Sequence, residues 1–445
     1  MTKQRELKHL VRDRMAKTGE RYTAARAQIL AKLSEPPPPA ELFPGLLNGY
    51  DRFGGIQGDT AVLHNVLRHA GTASAITGKP YTEAMINGLC GGPGFLYAVF
   101  EYKGWQPMLT LALRSRSMPD AYVAAGLSRL GLRLKQRETT SPKSARKALD
   151  EALSAGKAAI CVADIASLPW YGLPKEFAGA GPHLIAVVGR DGDDVWIDDR
   201  SPRPIRLQID QLDKARARYR QGKNRLITLE GPQPKYDAKQ AIRDAVAGTA
   251  RSYVEPAVPK SFWVNCGFSG IDKWRQMLTD RKDKKGWPTV FADAARAYAG
   301  LHRAYDCIEH QFTAPAGGRA FYADFLEEAA RALDQPILKQ AATAYREAGA
   351  LWARIASLIA ECGDAAVRQA CEIADRRLEL GDAHGEGLTK EASELWQKRH
   401  NLAGECKLTK DAALSLYAKV ADVVGQISDA ERAAVELLNR SLGSG

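Results

Sequence analysis

The chain has 445 residues, of which 45% are hydrophobic and 26% are charged, a composition typical of a globular protein with two or three domains. No run of 18 apolar residues occurs, which excludes a transmembrane helix, and the charged start of the chain does not predict a secretory signal. The seven scattered cysteines form no CxxC pair. They favour neither a disulfide framework nor a zinc site, so we expect a cytoplasmic protein.

The formal net charge of +11 raises the question of nucleic-acid binding. The basic residues are spread along the chain, apart from residues 1–31, 216–225 and 281–286, and no nucleic-acid-binding motif accompanies them. The sequence therefore does not favour nucleic acid as a partner. A solvated surface, or a groove for an acidic partner such as an acyl carrier protein, explains the charge better.

The first predicted elements are two short helices that form a hairpin over residues 1–33. Leu7, Leu10 and Val11 follow the helical period there. The run "SEPPPP" cannot continue a helix and predicts a stiff linker over residues 34–41.

Helical patterns open the next segment, residues 42–232. The stretches "TAVLHNVLRHAG" and "TEAMINGL" predict helices, the second with Thr82 as its cap. A third, amphipathic helix is predicted between a Ser141 cap and a stop at Gly156.

Strand patterns follow in the same segment. "RLGLRLKQ" alternates as a strand does, and residues 157–163, 183–191 and 194–199 are short runs rich in Val and Ile. The last two runs are joined by "GRDGD", which predicts a hairpin. Helices first and antiparallel strands later predict an α+β domain.

From residue 236 to residue 445 the pattern is almost entirely helical and predicts an all-α second domain. Its Ala-rich part, residues 362–441, could support a dimer, so the sequence leaves an oligomer open.

One histidine stands out as a candidate general base. His183 follows "GAGP" and opens a predicted strand, and a carboxylate partner would come from the end of the next strand, as Asp198 or Asp199. Papain-type acyl transfer needs such a pair, because an imidazole moves the proton and a carboxylate or amide fixes its tautomer. The alternative is a histidine at a strand edge beside a solvated hairpin.

The order of the motifs resembles a known family. "GDTAVLHNVL", "TEAMINGLCGGPGFLY", "ADIASLPWY", "HLIAVVG" and "DDRSPRP" follow one another in residues 42–232 as in the N-terminal domain of butirosin biosynthesis protein H. Residues 236–360 resemble the helical domain of unknown function that usually follows it. The resemblance implies a papain-like fold and an acyl or aminoacyl transferase of bacterial secondary or peptide metabolism.

The resemblance also implies roles for single residues. Asp199 matches the family aspartate, since Arg200 follows it, and His183 matches the family histidine. The family cysteine, which is the nucleophile, falls on Gly58, which has no side chain to attack with.

Residues at two places in the chain could replace the missing thiol. Cys90 precedes a glycine turn, Pro93 and a predicted helix, where backbone N–H groups could activate it, although a small buried residue is the alternative. Thr60 or Asp59 could act at the helix start, where capping is the commoner role.

A third route needs no nucleophile on the protein. If the acyl donor is already a thioester, His183 would activate an attacking amine directly and the side-chain amide of Gln57 would donate to the oxyanion. The placing of the two reactants would supply much of the acceleration.

Three further residues are candidates for substrate binding. Trp170 and Tyr171 in "LPWYGLP" predict an aromatic corner that is either the wall of a cleft or packing against the sheet. Arg319 is predicted at a helix start, facing the cleft between the domains or else the surface. Ligand spacing and glycine-rich phosphate motifs are missing, so we predict no metal and no cofactor.

Two functions from different classes remain. The first is a transferase that moves an acyl group from a carrier-bound thioester to a small-molecule amine, with an acyl carrier protein or peptide as partner. The second is a non-catalytic papain-like protein that holds a peptide, a carrier protein or a small ligand. An amide hydrolase comes third.

Overall fold

The computed structural model describes residues 43–443, apart from residues 105, 117, 180, 312, 314, 384 and 385. The predicted hairpin over residues 1–33 and the predicted linker over residues 34–41 lie outside the described residues. Within them, no helix combines the length and apolar character that a membrane crossing requires.

The first two helices form where the apolar spacing predicts them. The hydroxyl of Thr82 caps the second helix by accepting a hydrogen bond from the backbone N–H of Met85 at 3.0 Å. A two-stranded antiparallel sheet follows and pairs Phe100 with Met108. The bounds are α1 (Gly58–His69), α2 (Glu83–Cys90), β1 (Pro93–Phe100) and β2 (Met108–Arg114).

The helix predicted after Pro93 is wrong, because this segment is strand β1. Gly91 and Gly92 both have positive φ and end α2, and the chain then leaves in an extended direction. The run "PGFLYAVF" is rich in aromatic and β-branched residues, which favour a strand once a partner such as β2 is available.

A six-stranded sheet forms the centre of the α+β domain. Its strand order is β3-β8-β4-β5-β6-β7, every pair antiparallel. Ser141 caps α4, as the sequence predicts. The bounds are α3 (Pro119–Arg129), β3 (Leu132–Arg137), α4 (Pro142–Ser154), β4 (Ala159–Asp164), β5 (Pro182–Asp191), β6 (Asp194–Asp198), β7 (Ile205–Gln208), α5 (Ile209–Arg218) and β8 (Leu226–Pro232).

The two faces of the sheet pack against different helices. Leu184 and Ala186 of β5 enter the large core that contains the apolar residues of α1, whereas Ile185 and Val187 enter a smaller core under α4 and α5. This alternation follows from the period of two along a strand. The same alternation makes consecutive residues near the end of β6 point to opposite faces of the sheet.

The remaining chain is helical, which confirms the predicted α+β fold with an all-α second part. Trp274 and Trp352 stack in its core with ring centroids 5.9 Å apart, and both are fully buried. The bounds are α6 (Ala238–Ser252), α7 (Gly267–Thr279), α8 (Trp287–Val290), α9 (Ala294–Glu309), α10 (Arg319–Leu333), α11 (Ile337–Ala360), α12 (Ala365–Ala383), α13 (Glu386–Asn401) and α14 (Lys410–Leu442).

Candidate active site

His183 and Asp199 form a buried hydrogen-bonded pair. Nε2 of His183 lies 2.7 Å from Oδ1 of Asp199, and their side chains are 12% and 1% exposed. His183 is the second residue of β5 and Asp199 follows the last residue of β6. The antiparallel pairing of Ala186 with Asp198 brings these two strand ends together. The structure thus joins the imidazole and the carboxylate that the sequence singled out.

Two aromatic side chains complete the surroundings of Asp199. The indole N–H of Trp170 donates to Oδ2 at 2.8 Å, and the hydroxyl of Tyr171 donates to the same oxygen at 3.0 Å. Burial by itself raises the pKa of Asp199, but the charge and hydrogen bond of His183, with these two donors, hold it below its ordinary value. The carboxylate is therefore ionised at neutral pH.

The hydrogen bonds of the pair assign the tautomer of His183. An ionised carboxylate accepts only, so Nε2 carries the proton and Nδ1 of the neutral ring carries the free electron pair. Burial lowers the pKa of His183, but the charge and hydrogen bond of Asp199 and the charge of Asp59 outweigh it, so the pKa is raised. Nδ1 is the atom that can act as a base.

Helix α1 begins at Gly58, with Gln57 before it. A Cβ built on Gly58 meets no atom within 4 Å, and the backbone there is helical. The first N–H groups of a helix have no partner within the helix, so this end offers donors to an anion or a polarised carbonyl. The position that would hold the family nucleophile is thus open space at a helix N-terminus.

The start of α1 lies close to the pair. Gly58 and Asn65 are seven residues apart and so share one face of the helix. The side-chain amide of Asn65 donates at 3.0 Å to Oδ2 of Asp198, the residue next to Asp199. The charge of Asp59 also acts on His183. Asp59 directly follows Gly58, so the start of α1 lies within electrostatic range of the His183–Asp199 pair.

Asp198 is separated from Asp199 by the strand alternation. It is fully buried toward α1, where the hydroxyl of Tyr50 donates to it at 2.6 Å. Burial raises the pKa of Asp198 to about 7. Since Asp198 faces Tyr50 and Asn65, only Asp199 is placed to orient His183.

Thr60 and Asp59 are both engaged in the structure. The hydroxyl of Thr60 donates to Glu83 at 2.8 Å, and the same carboxylate accepts from the backbone N–H groups of Ile56 and Gln57. Asp59 forms an ion pair with Arg114 at 2.6 Å. These contacts hold the first turn of α1 and leave neither side chain as a nucleophile.

The structure contradicts a nucleophilic role for Cys90. This cysteine is the last residue of α2, where the helix dipole disfavours a thiolate, and its side chain is fully buried. Burial, followed by the charge of Asp59, raises the pKa of the thiol to about 12. Its sulfur packs against Gly126, where an added Cβ would lie 2.3 Å away. Cys90 is a packed neutral thiol.

Gln57 lies at the start of α1, but its side chain belongs to another network. Its Oε1 accepts from the amide of Asn87 at 2.9 Å, and Asn87 also donates to the hydroxyl of Tyr122 at 2.8 Å. Gln57 is 4% exposed. The side chain of Gln57 also hydrogen-bonds the hydroxyl of Tyr122. Its amide is therefore held in this buried network, and the backbone N–H groups of α1 are the better oxyanion donors.

Comparison with known families assigns this part of the chain. Residues 57–200 match the family model described as butirosin biosynthesis protein H, N-terminal, and the segment from 210 to 386 matches a domain of unknown function (DUF4872). The segment over residues 57–200 belongs to the butirosin biosynthesis protein H N-terminal family. The first match begins at Gln57 and ends at Arg200, so it contains the whole site. No curated protein matches the chain.

The domain limits at residues 42–232 and 236–445 stay a prediction.

Outside the butirosin biosynthesis protein H domain, two helices contact the segment that carries Trp170 and Tyr171. The guanidinium of Arg377, on α12, donates to the backbone carbonyl of Tyr171 at 2.7 Å. A Cβ on Gly172 would lie 2.7 Å from the backbone nitrogen of Ser393, on α13.

These contacts give the aromatic corner a positioning role. Helices α12 and α13 contact the segment whose two aromatic side chains orient Asp199. Phe177 and Trp396 extend this contact, with ring centroids 5.9 Å apart. The sequence alternatives for Trp170 and Tyr171, a cleft wall or packing, missed their hydrogen bonds to the carboxylate. Arg377 carried no sequence signal at all.

The predicted substrate-binding role of Arg319 is wrong. Arg319 does begin α10, but its side chain is fully buried and does not face a cleft. Its Nε donates to Glu431 at 2.7 Å, and its two terminal nitrogens donate to the carbonyls of Leu113 and Gly94 at 2.6 and 2.9 Å. The guanidinium therefore ties the β1–β2 hairpin to α14.

We expect Arg319→Ala to lower the free energy of unfolding by about 3–5 kcal/mol, because it leaves Glu431 buried without its cation. The matched control is Arg346→Ala, since Arg346 pairs with Asp324 at 2.8 Å while both side chains are 40% exposed. That exposed pair contributes about 1 kcal/mol or less. Urea unfolding followed by tryptophan fluorescence compares the two variants, and equal losses would contradict the assignment.

Proposed function

We propose that this protein is an acyl or aminoacyl transferase that moves an acyl group from a carrier-bound thioester directly to an amine. The observation that carries the proposal is the His183–Asp199 pair, which leaves Nδ1 of His183 as a base within electrostatic range of the start of α1. In this proposal the domain has a papain-like fold, works in the cytoplasm and needs neither metal nor cofactor. Its partners are an acyl carrier protein or peptide and a small amine.

The proposed reaction balances without a covalent enzyme intermediate. The amine nitrogen attacks the thioester carbonyl carbon, and Nδ1 of His183 takes the proton that the nitrogen releases. The carbon–nitrogen bond forms, the carbon–sulfur bond breaks, and the imidazolium returns the proton to the departing sulfur. Asp199 stabilises the imidazolium while it exists.

The oxyanion of the tetrahedral intermediate needs donors that are already in place. In the proposal, backbone N–H groups in the first turn of α1, which have no partner within the helix, supply them, in the part of the helix where the dipole also favours negative charge. Direct transfer fits Gly58, because a thioester carbonyl is reactive enough to be attacked by an amine that a base has activated.

A binding protein without chemistry is the second candidate. It is favoured by one observation, which is that the position of the family nucleophile holds Gly58, a residue without a side chain. Such a protein would use the same cleft to hold a peptide, a carrier protein or a small ligand.

The test that separates the two candidates is turnover of thioesters. The protein is incubated with acyl and aminoacyl thioesters, free or on an acyl carrier protein, together with a panel of amines. A transferase releases thiol and forms an amide of the expected mass in equal amounts. Thiol release without amide would indicate a hydrolase, and neither product with any donor would favour the binding protein.

A further inference from the structure

One cavity of the described structure has a lining that does not include His183. It is a half-open space of about 140 Å³ where the β1–β2 hairpin, the start of α3, the end of α6 and residues 256–258 meet. Phe95, Met118 and Val258 are among its mostly apolar lining residues. Pockets with apolar walls and a few polar groups at the junction of two structural parts are common ligand sites.

The polar side of this cavity is positively charged. Arg114 and Arg116 both line it. The charge of Arg114 is balanced by Asp59 at 2.6 Å, whereas Arg116 forms no ion pair with any described residue. Arg129 lies close by, and burial together with the charge of Arg116 lowers its pKa. Within the described part of the chain, one positive charge at the cavity is therefore without a counter-ion.

A buried hydroxyl group is the second feature of this cavity that favours an anionic ligand. Ser115 lines the cavity, and its Oγ is buried and forms no hydrogen bond within the described part of the chain. Buried polar atoms are nearly always partnered by protein, water or a ligand. Ser115 and Arg116 both line the cavity, and rotation of the Ser115 side chain about χ1 would turn its hydroxyl toward an anion held by Arg116.

We propose that this cavity binds a small carboxylate with a short apolar chain. The carboxylate would pair with Arg116 and accept from Ser115, and the chain would lie against Phe95 and Met118. A volume near 140 Å³ suits roughly six non-hydrogen atoms, since a cavity of about 150 Å³ holds benzene. Arg114 also holds Asp59 at the start of α1, so the occupied site would contact the support of the candidate active site.

The test is calorimetric titration of the full chain with butyrate, with 1-butanol, butylamine and inorganic phosphate as comparisons. We expect butyrate to bind and the neutral and cationic analogues of equal size not to bind. No thioester is present, so the result does not depend on the proposed transferase activity. Phosphate binding as tight as butyrate would overturn the need for an apolar chain and with it the proposal.

Three variants locate the site. Arg116→Gln is expected to weaken butyrate binding about tenfold or more, because a charge-assisted hydrogen bond is lost. Ala121→Leu fills the mouth from an exposed helix position, so it should abolish binding without unfolding the chain. Arg220→Gln, at an exposed arginine that does not line the cavity, is the matched control. Wild-type affinity in Arg116→Gln would overturn the proposal.

Discussion

Replacing His183 with glutamine is expected to reduce acyl transfer from thioester to amine by about 10²–10⁴-fold, the contribution typical of a positioned general base. Glutamine keeps a polar side chain of similar length that can still bond Asp199, so the cleft should stay intact. The rate is measured as amide formed per unit time, and circular dichroism checks the fold. A variant that transfers at the wild-type rate would show that His183 is not the base.

The pH dependence gives the same prediction a second readout. The pKa of His183 is raised above its ordinary value of 6.5, and only the neutral imidazole can take a proton. The rate should therefore be low in acid and rise with pH through that raised pKa. In Asp199→Asn the charge that raises the pKa is gone, so the rise should move to lower pH while the maximum rate falls.

The His183 variant also separates the two candidate functions. A binding protein would hold its ligand with unchanged affinity after His183→Gln, and no turnover would be lost because none existed. A transferase would keep its affinity for the acyl donor and lose the chemical step. A pH-independent wild-type rate would contradict the base role even if the variant were inactive.

Gly58→Cys is expected to create a reactive thiol and to make the protein form an acyl-enzyme. The added Cβ meets no atom within 4 Å, so position 58 accepts a side chain without a clash at Cβ. A thiol at a helix N-terminus beside an imidazole has its pKa lowered into the range of about 3.5–7.5. It would exist largely as thiolate at neutral pH and attack a thioester carbonyl.

The measurement is the mass of the intact protein after incubation with an acyl thioester, followed by peptide mapping to residue 58. Gly404→Cys is the matched control, because a Cβ there also meets nothing within 4 Å but the residue ends a short 3-10 helix on the surface. We expect Gly58→Cys to react at least about tenfold faster than the control at pH 7.

The double variant Gly58→Cys with His183→Gln tells whether the thiol and the imidazole act together. Acylation should fall when His183 is removed, since the imidazole stabilises the thiolate. Equal reactivity of Gly58→Cys and Gly404→Cys would mean that the start of α1 does not activate a thiol. Acylation of wild-type protein at Cys90 would contradict the burial and raised pKa found for that residue.

Much of the fold follows from local patterns. The caps Thr82 and Ser141, the amphipathic helices and the hairpin of β5 and β6 all lie where the sequence predicts them. These elements depend on hydrogen bonds and apolar spacing within a few residues, which the order of amino acids records directly. The strand that begins at Pro93 was not predicted. A short apolar run suits a helix or a strand equally well, and here the pairing with β2 decides for the strand.

The candidate site also has features that the sequence predicts and features that depend on the tertiary structure. The sequence by itself determined His183 as a residue at the opening of a strand and placed two aspartates at the end of the next. The residues alone left Asp198 and Asp199 open, and the family resemblance pointed to Asp199. The tertiary structure gives the physical reason, because the alternation of the strand and the register of β5 with β6 turn Asp198 toward Tyr50 and Asp199 toward His183.

Burial separated the other candidates, and burial is set by contacts between distant segments. The sequence around Cys90 suits a reactive thiol, yet α3 covers its side chain. The sequence around Arg319 suits an exposed cation, yet its guanidinium pairs with Glu431 of α14. Arg377 reaches Tyr171 across 206 positions of sequence. The sequence therefore determined the elements and the residue types of the site, whereas the long-range packing decided which side chains meet.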